Sequence, residues 1–518
     1  MITAQEIILS IPKRFRQEKA KGIKMRTHFI IEAASPLIYT VDIENESCTL
    51  TVGKTGVADC TVRCEEKLYV ALETGKANPQ WELVRGKLKV DGLTQMLQFS
   101  KCFRKFNSSF LIKEANVDFM QTKSRPELSG PLKGIRILDF TRLLPGPLGS
   151  MFLADLGAEV IKLEDPDSPD YVRDFEPKWG EHSVFYHALN QGKKSLSINY
   201  ICEEGKQIIL DMIPSVDVVI EQFRPGVMAG LGLDYDTMKK RNPGIVYAAI
   251  TGYGQADQRA GHDLNFMAES GLLYQLGSPD KIVIPGFQTA DVAGGSYMLL
   301  AALLAALLKK QRTGEGSYLD ISMTDAVVSL QAMSLADFQV NRTEPERGNT
   351  PLSGGLPNYN VYVCNDKKWI ALGSLEPKFW EPFCHKVNQE NWISAPFLPA
   401  AERQRVIAEV QAMFQQKSQK EWLDFFSDMD ICLSPVKNMQ EVLEQQQLRN
   451  NQRAQSHLVD GKQELTTLQF PVTFPSESKH SRWQAPELGE DSYALLKSIG
   501  YDDDQITTLV SKGIIRIA

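Results

Sequence analysis

The stretch from Ile135 to Leu163 constrains this chain most. It reads as an apolar strand (Ile135–Phe140, IRILDF), a Pro-Gly-Pro turn, a helix over Leu148–Leu156 and a second strand (Val160–Leu163). Two apolar strands joined through a helix form a βαβ unit, whose strands must run parallel. Asp217–Ile220 and Ile245–Ile250 repeat the strand pattern. Such alternation predicts an α/β fold: a mostly parallel sheet covered by helices, Rossmann-like in outline. No GxGxxG follows the first strand, and LPGPLG is not one, so a nicotinamide or flavin dehydrogenase is excluded.

At 518 residues the chain is too long for one ordinary core, and two or three domains are expected. Residues 1–115 read as a first unit, with an opening helix and strand-like runs HFIIEA, PLIYTVDI, CTLTVG and DCTVRC. Alternation across Tyr39–Ile43 suits a sheet with one wet face. Residues 116–130 (linker) contain Pro126, Ser129 and Gly130 and break both neighbouring patterns. The strand–helix alternation occupies 131–344. A further region, 345–470, opens with NVYVCNDKKWIAL, a hairpin with Asn365-Asp366 at its tip. The last stretch, 471–518, holds PVTF, APELGED and a final helix.

The candidate chemistry lies between Arg259 and Arg312. RAGHDLNFMAESGLL precedes TADVAGGSYMLLAALLAALLKKQR. Asp291 and Gly294-Gly295-Ser296 stand before an apolar run from Tyr297 to Leu308, closed by Lys309 and Lys310. Twelve apolar residues are too few to span a bilayer, so a buried core helix and no integral membrane contact are expected. Asp291 then sits at or just before a helix N-terminus, where free N–H groups favour negative charge. The two glycines would let a ligand approach the backbone. His262 lies in a Gly-His-Asp turn. On the residues alone, His262 reads equally as a surface histidine and Asp291 as an N-cap.

Taken together, LKGIRILDFTRLLPGPLGSMFLADLGAEVIKLE, RPGVMAGLGLDYD (224–236), GHDLNF, ADVAGGS, GEGSYLDISMTD (314–325), SLEPKFW (374–380) and APELGED (485–491) resemble the family III CoA-transferase superfamily, in particular its α-methylacyl-CoA racemase branch. In the first unit, ADCTV, the GKANPQ turn and GKLKVDG resemble the sterol carrier protein-2 (SCP-2) domain. The resemblance implies a small α+β lipid-binding domain with an apolar cavity; the apolar Leu93, Met96, Leu97 and Phe103 read equally as its lining and as ordinary core. It further implies a large Rossmann-like domain at 131–344, a small domain at 345–470, and a return to the large domain at 471–518. Two subunits would form an interlocked homodimer, with each active site between one large domain and the partner's small domain.

The reaction implied is epimerisation at the α-carbon of a 2-methyl-branched acyl-CoA. Removing that proton and returning it to the other face needs a base on one side and an acid on the other. His262 and Asp291 suit these roles, and the helix N-terminus would hold the enolate oxygen. Glu376 matches a family glutamate that pairs with the histidine across the subunit boundary. Gly261, Asp263, Leu264, Asn265 and Phe266 surround the histidine, with Asp263 and Asn265 as positioning residues. In the alternative reading, the chain is a CoA-transferase whose Asp291 attacks the thioester and forms an acyl anhydride. A third reading is an inactive lipid-handling scaffold.

Coenzyme A, as part of the substrate, requires cations for its phosphates, and no separate cofactor or metal is expected. Arg224 matches a family binding position, and Lys193 and Lys194 precede the SLSIN strand. The chain departs from the family at three places: Asp165 and Gly230 stand where arginines are usual, and Ile201 where a lysine is. Either Lys162, Arg142 and the lysine pair compensate, or the substrate is another acyl thioester, such as one on a carrier protein. The fusion suggests hydrophobic acyl groups, such as branched fatty acyl or sterol side-chain thioesters.

A net charge of −7 leaves no basic footprint for nucleic acid. Eight cysteines without a CxxC pair read as reduced thiols, and seven dispersed histidines form no metal motif. The amphipathic, partly basic N-terminus carries Glu6 and Glu18, and the chain ends Arg-Ile-Ala without the simple peroxisomal signal. A cytoplasmic protein is expected.

Overall fold

The computed structural model describes residues 2–33, 36–106, 127–179, 182–445, 454–459, 463–472, 474 and 482–518. Most of the expected linker, 116–126, lies outside the described residues, as does part of PVTF.

The first unit opens with helix Ala4–Leu9, started by a Thr3–Glu6 capping box. Its five-stranded sheet runs, in spatial order, Ser47–Val52, Leu37–Glu44, Met25–Glu32, Cys60–Glu65 and Lys89–Asp91. Phe29, Val41, Tyr69 and Phe99 pack together beneath it. Helix Leu93–Lys101 turns Phe99 inward but leaves Leu93 and Leu97 at 51% and 60% exposure. Those two therefore do not line an internal cavity, because they share the opposite face of that helix from Phe99. Met96 and Phe103 are half-buried against the core.

The large domain is built on a seven-stranded sheet. Its order is Ser317–Ser322, Val246–Thr251, Val218–Glu221, Arg136–Asp139, Glu159–Glu164, Lys194–Ile198 and Ile515–Arg516. All neighbours pair in parallel except the C-terminal strand, which adds antiparallel to Lys194–Ile198. The sheet has an apolar layer on each face. Leu138, Ile161 and Leu196 meet Ile209, Leu496 and Ile506 on one side; Ile137, Val160 and Val246 meet Leu153, Leu299 and Leu303 on the other. Strands buried on both faces explain the continuous apolar runs in the sequence. From Arg136–Asp139 the chain first builds outward through Glu159–Glu164 and Lys194–Ile198, then reverses to Val218–Glu221. The topological switch point lies between Arg136–Asp139 and Val218–Glu221, where α/β sheets open a crevice at the carboxyl ends.

The helix expected from the apolar run is longer and less buried than its sequence suggests. A π-helical segment, Ala290–Tyr297, leads directly into α-helix Met298–Thr313. This 24-residue stretch is apolar and long enough to cross a membrane by length and composition. Leu299, Leu300, Leu303 and Ala306 pack on the sheet, whereas Leu304 and Leu308 are 40% and 47% exposed. It is thus a core helix on one face only.

The third region centres on strands Tyr359–Val363, Trp369–Gly373 and Leu433–Pro435. The first two form the expected hairpin, closed by Cys364 N–H donating to Lys368 O at 2.8 Å. Helices Pro377–Lys386, Ala400–Phe414 and Gln419–Phe425 cover it, with Trp380 stacked on Phe383 and Phe383 on Phe426.

Candidate active site

A cavity of about 390 Å³ opens at the switch point. Leu143 and Pro145 reach it from beyond the first strand, and Gln222, Phe223 and Arg224 from beyond Val218–Glu221. Thr251 and Gly252 end the next strand at its floor. Gly261, His262, Asn265, Phe266 and Asp291 complete it. His262 and Asp291, 29 positions apart in sequence, therefore face one space.

Asp263 makes that juxtaposition possible. It begins helix Asp263–Glu269 and is buried. Its Oδ1 accepts from the backbone N–H of Ala290 (2.7 Å) and of Asp291 (3.0 Å). A carboxylate at a helix N-terminus satisfies two orphan donors and is favoured by the dipole. The His262 turn is thereby tied to the start of the π-helix. Asp263 is a structural tether as well as a turn residue, and it does not line the cavity.

The tether has two consequences. First, the N–H groups of Ala290 and Asp291 are taken, and Val292 N–H donates to Gln288 O at 3.0 Å. These three N–H groups are thus not open to an enolate oxygen. Second, burial pushes the Asp291 carboxyl up to about 7, and the Asp263 carboxylate adds to the rise. A carboxyl group titrating there exchanges protons efficiently at neutral pH.

Gly294 and Gly295 serve packing rather than ligand access. A Cβ at Gly294 would meet Met323 O at 2.8 Å, and one at Gly295 would meet Pro145 Cβ at 2.6 Å. Both are buried against their neighbours, so the expected close ligand approach does not occur there.

Around His262, Asn265 Oδ1 accepts from the His262 backbone N–H at 3.1 Å, and Asn265 N–H donates back to His262 O at 2.8 Å. That bond fixes the orientation of the amide and leaves Nδ2 for a ligand oxygen. Phe266 packs beneath, edge-on to Tyr253. Leu264 is 41% exposed and lies outside the cavity lining. No side chain among the described residues bonds the imidazole. Glu376 is exposed at the N-cap of helix Pro377–Lys386, away from the cavity of its own chain.

Of the expected cations, the structure keeps Arg224 at the cavity and removes the lysines. Lys193 is fully buried; its Nζ contacts Asp139 Oδ2 (3.1 Å), Pro147 O (3.0 Å) and Asn190 Oδ1 (2.9 Å). Burial lowers its ammonium to about 8 despite the pull of Asp139. Lys194 pairs with Glu159 at the strand's start, the end opposite the crevice. Lys162 is buried too, holding Thr141 O (2.8 Å) and Asp170 Oδ2 (3.0 Å). None of the three compensates for Asp165, Ile201 and Gly230, since each already neutralises a carboxylate of this chain. The Arg142 guanidinium lies over the Phe223 ring at 5.3 Å and donates to Tyr200 Oη at 3.1 Å. Phe223 and Gln222, missed from sequence, could have been found from their place directly after a predicted strand at the reversal of strand order.

A carboxyl group and an imidazole sharing the switch-point crevice of a doubly wound sheet define an α/β enzyme site for acid–base or nucleophilic chemistry. The chain belongs to CoA-transferase family III, whose model matches residues 132–492, and residues 9–103 match that of the SCP-2 sterol transfer family. It is 29% identical over 388 residues to the alpha-methylacyl-CoA racemase of Mus musculus, covering 74% of this chain and 97% of that one. It is 31% identical over 399 residues to the succinyl-CoA:glutarate CoA-transferase of Homo sapiens, covering 74% and 90%. The crystal structure of Rv3272 from M. tuberculosis superposes with a TM-score of 0.61 at 28% identity, covering 71% of this chain and 99% of that one. The chain is thus an enzyme of the family III racemase/CoA-transferase type.

Proposed function

We propose that the protein epimerises the α-carbon of 2-methyl-branched acyl-CoA thioesters by two-base proton transfer. The observation that carries this reading is the single cavity shared by His262 and Asp291, with the carboxyl group titrating near neutrality. One group, unprotonated, takes the α-proton; the C–H electron pair becomes the C=C bond of an enolate and the carbonyl π pair moves onto the thioester oxygen. The other, protonated, returns a proton to the opposite face as the oxygen pair re-forms the C=O bond and the C=C pair bonds the new hydrogen. Asn265 Nδ2 is the donor suited to the enolate oxygen, because the amide's Oδ1 is already held by His262 N–H. In a homodimer, Glu376 of a second copy would orient the imidazole. Its exposure, away from the cavity of its own chain, supports that use.

The transferase reading is favoured by relatives that carry transferase names, including the human protein above. In it the Asp291 carboxylate attacks the thioester carbon, the C–S bond breaks, CoA leaves as thiolate and a mixed anhydride remains. A carboxyl group held up to about 7 is half-protonated at neutral pH, which suits proton exchange better than nucleophilic attack. Incubation with acyl-CoA and hydroxylamine, followed by peptide mass analysis, separates the two. We expect an unmodified Asp291 peptide and no acceptor-dependent CoA transfer. A hydroxamate at Asp291 would overturn the racemase reading.

A further inference from the structure

One wall of the switch-point cavity has a strained backbone. Of the described non-glycine residues that line the cavity, Leu143 alone stands in the left-handed region, with φ 61°. A Cβ there crowds the neighbouring carbonyl, a cost that glycine avoids and a bulky side chain does not. Such a conformation persists only where its surroundings over-determine it.

The turn from Thr141 to Gly146 is held in that way by a succession of side chains. Thr141 N–H donates to Asp139 Oδ1 at 2.9 Å, and Thr141 O accepts from Lys162 Nζ at 2.8 Å. Gln222 spans the turn: its Nε2 donates to Arg142 O at 2.7 Å, and its Oε1 accepts from Gly146 N–H at 3.3 Å. Leu143 N–H lies 3.3 Å from each oxygen of Asp170, which Lys162 Nζ holds at 3.0 Å. Pro145 O accepts from Ser296 Oγ at 2.6 Å. The buried Lys162–Asp170 pair thus fixes the backbone on both sides of Arg142.

The side chain presented by this turn is backed by Val172, Tyr186 and Ala485 and borders the cavity. Pro145 and Met323 continue the apolar surface along the cavity. They meet at Gly295, where a Cβ would lie 2.6 Å from Pro145 Cβ and 3.2 Å from Met323 Sδ. Gly295 belongs to the π-helical segment that carries Asp291, so this apolar wall stands beside the carboxyl group.

We propose that Leu143 is a specificity-determining residue, its fixed side chain limiting the size of the branch on the α-carbon, and that Gln222 is the residue positioning it. This rests on the acyl-CoA reading above. An apolar branch on a carbon that exchanges its proton with Asp291 is most favourably placed against the apolar surface next to that group. A wall braced from behind and pinned along its backbone cannot retreat to admit a larger branch.

The test measures kcat/KM for α-deuterium exchange with a 2-methylacyl-CoA and with its 2-propyl homologue. Leu143→Gly and Leu143→Ala should each move the ratio toward the 2-propyl compound by about tenfold or more, the discrimination a methylene or two commands in an apolar pocket. Glycine accepts the left-handed backbone, so Leu143→Gly should also melt a few degrees above Leu143→Ala, the reverse of the usual order. Gln222→Leu should move the ratio the same way but less far. A purely structural role would lower both substrates alike, and an unmoved ratio in the two Leu143 variants would overturn the proposal. An equal loss on both substrates in Gln222→Leu would overturn the positioning role of that residue. A wild-type chain that exchanges neither substrate would sink the acyl-CoA reading itself, whereas wild-type exchange with an unmoved ratio would sink only the wall.

Discussion

Two groups of charges lie within the same domain, one under the sheet edge and one at the cavity, and they are built in opposite ways. In the first, every charge has a partner. Asp139 faces Lys193 and takes hydrogen bonds from Thr141 and Ser150; Lys162 faces Asp170; Arg173 reaches Glu164 at 2.6 Å. Burial opposes ionisation of Asp139, yet the two nearby ammonium groups and these hydroxyls hold it below the ordinary carboxylate range. At the cavity, among the described residues, the Arg224 guanidinium makes no bond and the imidazole has no side-chain partner, and burial leaves Asp291 only half-ionised at neutral pH. Saturated charges hold the fold; unsaturated ones at a crevice are available to a ligand.

The largest effect that would break this comparison is catalytic. His262→Ala and Asp291→Ala should each lower epimerisation by about 10³-fold or more, with thermal stability little changed. Circular dichroism melts beside product chirality measurements check both halves. An activity loss matched by a collapse in stability would merge the two groups into one. Next in size, Lys193→Ala leaves Asp139 buried with one ammonium fewer, and should destabilise the fold by about 3–5 kcal/mol in denaturant titration. Epimerisation per folded molecule should stay at the wild-type level. A preserved stability would show that the buried cluster is not saturated as described.

A smaller effect sharpens the contrast at Asp291. Its carboxyl titrates higher in the folded chain, near 7, than the ordinary 3.8 of an unfolded one. The folded state therefore binds the extra proton, and stability falls as pH rises through about 7. Asp291→Asn removes that loss. It should stabilise the protein by up to about 4 kcal/mol at pH 8 and hardly at all below pH 4, read from denaturant midpoints at both pH values. Equal shifts at the two pH values would contradict the raised carboxyl.

The sheet was legible because strands buried on both faces leave unbroken apolar runs; Ile137–Asp139, Val160–Leu163 and Val246–Ile250 announce themselves. The helix boundaries were less so. Pro145 at the first helical position moved one start three residues toward the N-terminus, and the π-helical Ala290–Tyr297 extended another beyond its apolar run. His262 and Asp291 could be named from motifs, but their meeting depends on Asp263, whose tether no spacing rule reveals. Lys193 and Lys194 misled because charge is visible in sequence whereas its partner is not: Asp139 lies 54 positions from Lys193, and Glu159 lies 35 from Lys194. Leu93 and Leu97 misled similarly, since an apolar residue does not disclose which side of a short helix is covered.

The most direct test of the account is exchange at the reacting carbon. Each separate epimer of a 2-methylacyl-CoA is incubated with the enzyme in D₂O, without any acceptor acid. Two-base transfer predicts that both take up deuterium at C2 and converge on an equal mixture. Thioesters that keep their α-hydrogen and their configuration until an acceptor is added would contradict it.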